Sequence, residues 1–156
     1  CSSDLKLNNL QACRGGIAYA EGTDKPGQPT KNKGYDVIVG GALFSDYSKH
    51  PGVYVNLPKL GIKSSAAGRY QILEKWAVAY IKRLNLPDFG PASQDAICNQ
   101  LIRECGAMGD VLAGRFEEAY RKCSARWASL PGSTAGQRVE DMKKILEVCY
   151  GSLAKK

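Results

Sequence analysis

Glu21 stands where a carboxylate can do acid–base work. It lies in Ala18-Tyr19-Ala20-Glu21-Gly22-Thr23, after an amphipathic stretch and before a long loop rich in Gly, Pro, Thr and Lys. That places a carboxylate at the C-terminal end of a helix, against apolar and aromatic neighbours. Partial burial disfavours the charged form and raises a carboxyl pKa, and a raised pKa suits a general acid near neutral pH. The competing reading is a solvated Glu that merely ends a helix, as most Glu residues are solvated. Cleaving a glycosidic bond needs a proton on the leaving oxygen, and hydrolysing glycosidases usually pair the acid with a second carboxylate. Asp24 and Asp36 are the nearest such residues in sequence. Asp24 falls in the loop, and Asp36 equally suits a turn or hydrogen-bonding role.

Sugar sites need amides and hydroxyls for hydrogen bonds and aromatic faces for stacking. Tyr35, Tyr47, Tyr54, Tyr70, Gln71, Gln100 and Gln137 can supply them, with core packing an equal alternative for Tyr70. Other chemistries find little support. There is one histidine, His50, in Lys49-His50-Pro51, and no Gly-x-Ser-x-Gly, which argues against a serine hydrolase. Cys13 falls on an apolar helical face, where a structural thiol is expected and not a peptidase nucleophile. No Cys-x-x-Cys occurs and there is one histidine, which argues against a zinc site; no cofactor is expected.

The elements that must position these residues can be read in outline. Asp4 can cap a first helix, with Leu7, Leu10, Ala12/Cys13 and Ile17 on one face, ending near Glu21-Gly22. Gly15-Gly16 permit close packing of another backbone there. Residues 23–33 read as loop, and 35–44 as a β-hairpin turning at Gly40-Gly41. Residues 45–65 form a long connection with a short strand at 53–55, and long connections are often functional. Helical spacing then runs over 66–84 through Tyr70, Leu73, Trp76/Ala77, Tyr80/Ile81 and Leu84, stopped by Pro87. Pro91 and Ser93 open another helix, with Ile97, Leu101 and Cys105 inward, ended by Gly106. Further helices are expected over 108–113, 115–127 and 139–150, with a loop at 131–136. No repeat or linker divides the chain, so 1–156 reads as one domain of α+β class, mostly helical with one small hairpin.

Bulk properties narrow the partners. In 156 residues, 44% hydrophobic and 24% charged, there is enough apolar material for a real core. No apolar run approaches the ~18 residues of a membrane span. The net charge of +7 draws the chain to polyanions. The basic residues are scattered and no nucleic-acid-binding motif is visible, so attraction to an anionic envelope is expected and nucleic acid is not. Six cysteines either pair in an oxidising compartment or act as small buried hydrophobes in a reducing one. Cys98 and Cys105 stand about 10.5 Å apart along one helix axis, too far for a direct bond. The chain begins at Cys1 and not Met, so a preceding segment is expected to have been removed. These features together predict export, with at least two disulfides.

Several segments carry a more specific message. They are Glu21-Gly22-Thr23-Asp24, Gly34-Tyr35-Asp36-Val37-Ile38-Val39-Gly40-Gly41, Phe44-Ser45-Asp46-Tyr47-Ser48, Ala67-Gly68-Arg69-Tyr70-Gln71, Ser93-Gln94-Asp95-Ala96 and Trp127-Ala128-Ser129-Leu130-Pro131-Gly132. In this order and spacing they resemble the bacteriophage lambda lysozyme family of phage endolysins, over roughly Leu10 to Gln137. The resemblance implies a lysozyme-like fold with a groove between two loop lips, Ser45–Pro58 and Pro131–Gln137, and a Gly-x-x-Gln element at Gly68–Gln71 lining it. It implies a monomeric lytic transglycosylase acting on peptidoglycan strands in the periplasm, with Glu21 as the catalytic acid. Two departures stand out: Ala135 occupies a position where the family has a tyrosine, and the upper lip is one residue longer around Gly61-Ile62. A hydrolase using Asp36 or Asp24, and a non-catalytic glycan-binding protein, remain as alternatives.

Overall fold

Eight elements follow one another in the structure, a computed structural model that describes residues 2–132 and 140–154. They are α1 (Ser2–Glu21), β1 (Val55–Leu57), β2 (Ile62–Ser64), α2 (Glu74–Arg83), α3 (Pro91–Glu104), α4 (Met108–Leu112), α5 (Phe116–Cys123) and α6 (Met142–Ala154). Contacts divide the chain into two units, one of Cys1–Glu21 with Cys98–Lys156 and one of Gly22–Ile97. Glu21 is therefore the last residue of the first segment, and α3 contributes residues to both units.

In the first unit α1 packs on α4 and α6, and α5 packs on α4 and α6. Helix α5 buries Phe116, Ala119, Tyr120 and Cys123, the i, i+3, i+4, i+7 stripe of an amphipathic helix. Its acidic first turn (Glu117, Glu118) and basic last turn (Arg121, Lys122) complement the helix dipole. It is shorter than the 115–127 the spacing predicts. The Cys123 carbonyl accepts from both Arg126 and Trp127, turning the chain so that Trp127 is buried from a turn.

Helix α1 starts two residues before the expected cap, which puts Asp4 inside its first turn. Leu7 faces solvent, and burial begins at Asn9 and Leu10, where Asn9 donates to the Leu112 carbonyl at 3.2 Å. Gly16 is indeed a site of close approach, but to a side chain and not a backbone. A Cβ there would run into the Tyr120 hydroxyl, which donates to the Cys13 carbonyl at 3.0 Å. Gly22 follows with φ of 81°, the left-handed residue that commonly ends a helix, so Glu21 is presented at a true terminus.

In the second unit the hairpin is displaced from where the sequence suggests it. The regular antiparallel pair is β1–β2, in register Val55 with Ser64, Asn56 with Lys63 and Leu57 with Ile62. The expected hairpin at 35–44 forms only in short form: Val37 bridges Leu43, the Ile38 N–H donates to the Ala42 carbonyl at 2.7 Å and the Phe44 N–H to the Asp36 carbonyl at 2.9 Å, and its inner segment is shared. Ile38 also bridges Ala67, and Val39 donates to the Ala66 carbonyl at 2.9 Å. The predicted helix over 66–84 forms only from Glu74. Residues 67–72 make a tight turn instead, with Ala67 and Ile72 exchanging hydrogen bonds and Gln71 at a φ of 53°. Thus Tyr70, although on a helical period, is buried from a turn.

His50 anchors this unit from a loop. It is 4% exposed. Its Nε2–H donates to the Ile72 carbonyl at 2.8 Å, Nδ1 accepts from the Gly52 N–H at 3.0 Å, and the ring lies 5.0 Å from that of Phe89. Burial pushes its pKa below 6.5. A protonated ring would also set two donors, Nδ1–H and the Gly52 N–H, against each other. The folded state thus holds His50 neutral while the unfolded chain protonates it near 6.5, so below that pH the unfolded state binds more protons. Stability is fully present above pH 6.5 and is lost as pH falls from there towards the folded pKa. The melting temperature should therefore drop between pH 7.5 and 5.5, and His50→Gln should flatten that dependence; an unchanged slope in the variant would contradict the assignment.

Candidate active site

In the first unit the structure fixes the Glu21 carboxylate. Glu21 is partly buried at the end of α1, and the Ser129 hydroxyl donates to its Oε2 at 3.1 Å. Ser129 is itself buried, and its carbonyl accepts from the Glu140 N–H at 2.8 Å. The neighbouring Leu130 closes a turn onto the Trp127 carbonyl at 3.0 Å. A carboxylate partly withdrawn from water and positioned by a buried hydroxyl is placed for proton transfer. Gln100, on α3, bonds to its own helix: Nε2 donates to Glu104 and Oε1 accepts from Arg103.

In the second unit a polar network surrounds the turn 67–72. Thr23 is 1% exposed and its hydroxyl donates to the Arg69 carbonyl at 2.5 Å. The Arg69 side chain pairs with Asp24 at 2.6 Å and lies 5.4 Å and 5.8 Å from the rings of Tyr35 and Tyr70. Both tyrosine hydroxyls donate to Asp95 Oδ1, at 2.9 Å from Tyr35 and 2.6 Å from Tyr70. Burial first, and then the Asp95 charge, push the Tyr35 phenol above its ordinary range, so it remains a neutral donor. Gln94 is fully buried; its Nε2 donates to the Tyr35 and Phe89 carbonyls and its Oε1 accepts from the Arg69 N–H.

The remaining sequence candidates in this unit fall into two groups. Asp36 is 3% exposed and clasps its own loop: the Thr30 hydroxyl donates to Oδ1 at 2.5 Å and the Lys31 N–H to Oδ2 at 2.9 Å. Gln71 likewise holds backbone, through Nε2 to the Val37 and Gly68 carbonyls. Tyr70 belongs to the core. Tyr54 is the outward one, 57% exposed, with its hydroxyl donating to Glu74 at 2.8 Å. Tyr35 is intermediate. Gln137, and the lower lip beyond Gly132, lie outside the described residues.

The family model for endolysins matches residues 11–154, nearly the whole chain. The chain belongs to the endolysin family. The endolysin of Escherichia phage lambda is 54% identical over 122 residues, 78% of this chain and 76% of the relative. That of Escherichia phage P2 is 46% identical over 150 residues, 90% of each. Among solved structures, bacteriophage lambda lysozyme complexed with a chitohexasaccharide matches with a TM-score of 0.89 at 45% identity, covering 93% of this chain and 94% of that one. A second structure of lysozyme from bacteriophage lambda matches with a TM-score of 0.77, also at 45% identity, covering 95% and 91%. This endolysin accordingly has the lambda lysozyme-like α+β fold, and it is a lysozyme-type glycosidase that degrades peptidoglycan.

Sequence reasoning gave no role to Ser129, Asp95, Gln94 or Arg69 in this family member, although each sits in a segment that carried the resemblance. For Gln94 a signal was present: it shares the inward stripe of Ile97, Cys98 and Leu101, where a polar residue must be buried and satisfied. Among the described residues no cluster of His, Cys, Asp and Glu can hold a metal, and no helix is long and apolar enough to cross a membrane. Against the expectation of at least two disulfides, Cys13, Cys98, Cys105, Cys123 and Cys149, among the described residues, are not joined by disulfide bonds.

Proposed function

We propose that this endolysin is a lytic transglycosylase in which Glu21 acts first as acid and then as base. Glu21 protonates the oxygen joining N-acetylmuramic acid to N-acetylglucosamine. It then takes the proton of the muramic 6-hydroxyl as that oxygen attacks the anomeric carbon of the same sugar. The glycosidic bond breaks, a 1,6-anhydro ring forms, and no water is consumed. The enzyme works as a monomer on glycan strands in the periplasm, without a cofactor and without nucleic acid. The chitohexasaccharide held by the lambda lysozyme structure supports a glycan substrate of this length class, and the exposed ring of Tyr54 and the partly exposed rings of Tyr35 and Tyr47 support aromatic contacts to sugar.

The observation that carries this reading is the engagement of both carboxylates nearest to Glu21 in the sequence. A hydrolase needs a second carboxylate free to activate water or attack carbon. Asp36 has both oxygens occupied by Thr30 and Lys31, and Asp24 is paired with Arg69. The test is substitution of each. Asp24→Asn should keep turnover within a few-fold of the parent. Asp36→Asn should lower the melting temperature while turnover per folded molecule persists. Loss of turnover with an unchanged melt, in either variant, would restore the hydrolase reading.

A further inference from the structure

The loop after Glu21 engages its acids internally and leaves cations on its surface. Its two acids are Asp24 and Asp36. Arg69 pairs with the first at 2.6 Å, and the Thr30 hydroxyl and the Lys31 N–H occupy both oxygens of the second. Lys31 and Lys33 are exposed, and neither enters an ion pair among the described residues. Two ammonium groups thus face solvent while the carboxylates nearest to them in sequence are already taken.

The backbone of Lys33 is fixed. Its φ of 52° is left-handed, a conformation that a residue with a side chain keeps only where its surroundings impose it, and one that clusters at ligand sites. Three hydrogen bonds impose it here. Arg69 Nη1 donates to the Lys33 carbonyl, the Gly34 N–H to the Thr30 hydroxyl at 2.8 Å, and the Tyr35 N–H to the Asn32 carbonyl at 2.9 Å. Gly34 then packs against Thr23 so closely that a Cβ would lie 2.8 Å from the Thr23 carbonyl oxygen. Thr23 stands two residues after Glu21 in the chain. The clasp that holds Lys33 is therefore built on the segment that leaves the catalytic helix.

We propose that Lys33, with Lys31 beside it, binds carboxylates of the peptide stems carried by the glycan strand. The inference rests on the strand substrate given above. The N-acetylated sugar rings of such a strand are neutral, and hydroxyls, amides and aromatic faces satisfy them. The lactyl group of muramic acid carries the stem, and the stem carboxylates make the strand anionic. A lysine meets such a carboxylate as a point charge. The contact selects stemmed strands over neutral oligosaccharides. It is made equally before and during bond breaking, so it lowers KM and leaves kcat alone.

The experiment digests soluble peptidoglycan fragments and the same fragments with their carboxylates amidated, using the parent, Lys33→Gln, Lys31→Gln/Lys33→Gln and Lys33→Arg. For the parent, amidation should raise KM by about 3–10-fold, the range of one or two exposed charge contacts, with kcat changed less than about twofold. The double variant should show the raised KM on native fragments and no further rise on amidated ones. Lys33→Gln alone should show the larger share of that rise, and Lys33→Arg should retain the parent's preference. Equal KM for the parent on both fragments, or a double variant that loses as much on amidated fragments as on native ones, would overturn the proposal. Product ends are read in the same digests. Reducing ends in place of 1,6-anhydro ends would reject the transglycosylase chemistry and leave the KM comparison standing.

Discussion

Glu21→Gln is expected to lower wall lysis by about 10²–10⁴-fold, the usual contribution of a positioned general acid and base, while leaving the melting temperature nearly unchanged. The amide matches the carboxyl in size and can still accept the Ser129 hydrogen bond on one side. It cannot give a proton to a glycosidic oxygen or take one from a hydroxyl. Because Glu21 ends α1, ahead of the glycine that terminates the helix, the exchange asks nothing new of the backbone. Clearing of a cell-wall suspension measures the loss, and a thermal melt measures the fold. Activity within a few-fold of the parent would remove Glu21 from the chemistry.

The largest effect on stability is expected at Gln94. Its side chain is fully buried and satisfies three backbone groups: the carbonyls of Tyr35 and Phe89 and the N–H of Arg69. Gln94→Leu keeps the bulk and abandons all three. A buried polar group without a partner costs about 1–3 kcal/mol, so a total of about 3–5 kcal/mol follows once partial relaxation is allowed for. At about 2–4 °C per kcal/mol for a domain of this size, the melting temperature should fall by about 6–20 °C. Gln94→Glu gives a control with a sign. Its acid form restores a donor when protonated, so this variant should recover stability relative to the parent as pH falls. A loss below about 1 kcal/mol for Gln94→Leu would show that the network is not what holds this turn.

Local signals and long-range contacts divide what the sequence makes legible from what it hides. Helices α1, α3 and α4 announce themselves by apolar period, Pro91 and terminal glycines, and Glu21 stands at its helix end as its neighbours imply. The segment 66–73 misleads, because Tyr70 and Leu73 keep a helical period while Gln71 takes a left-handed conformation that no period reveals. The hairpin at 35–44 stays short for a related reason. Its β-branched residues pair with Ala66 and Ala67, a partnership decided by tertiary contact and not by the glycine turn. Within the site, the loop-clasping alternative for Asp36 was visible in its position. The hold of Ser129 on Glu21, and of Asp95 on two tyrosines, joins residues far apart in the chain, and residue type alone does not disclose such pairs.

The products of digestion test the central claim most directly. Purified peptidoglycan is cut in water enriched in heavy oxygen, and the masses of the new muramic ends are read. An intramolecular attack by the 6-hydroxyl, served by Glu21 alone, predicts 1,6-anhydro ends that carry no label. Reducing ends bearing heavy oxygen would show that water is the nucleophile and would contradict the account.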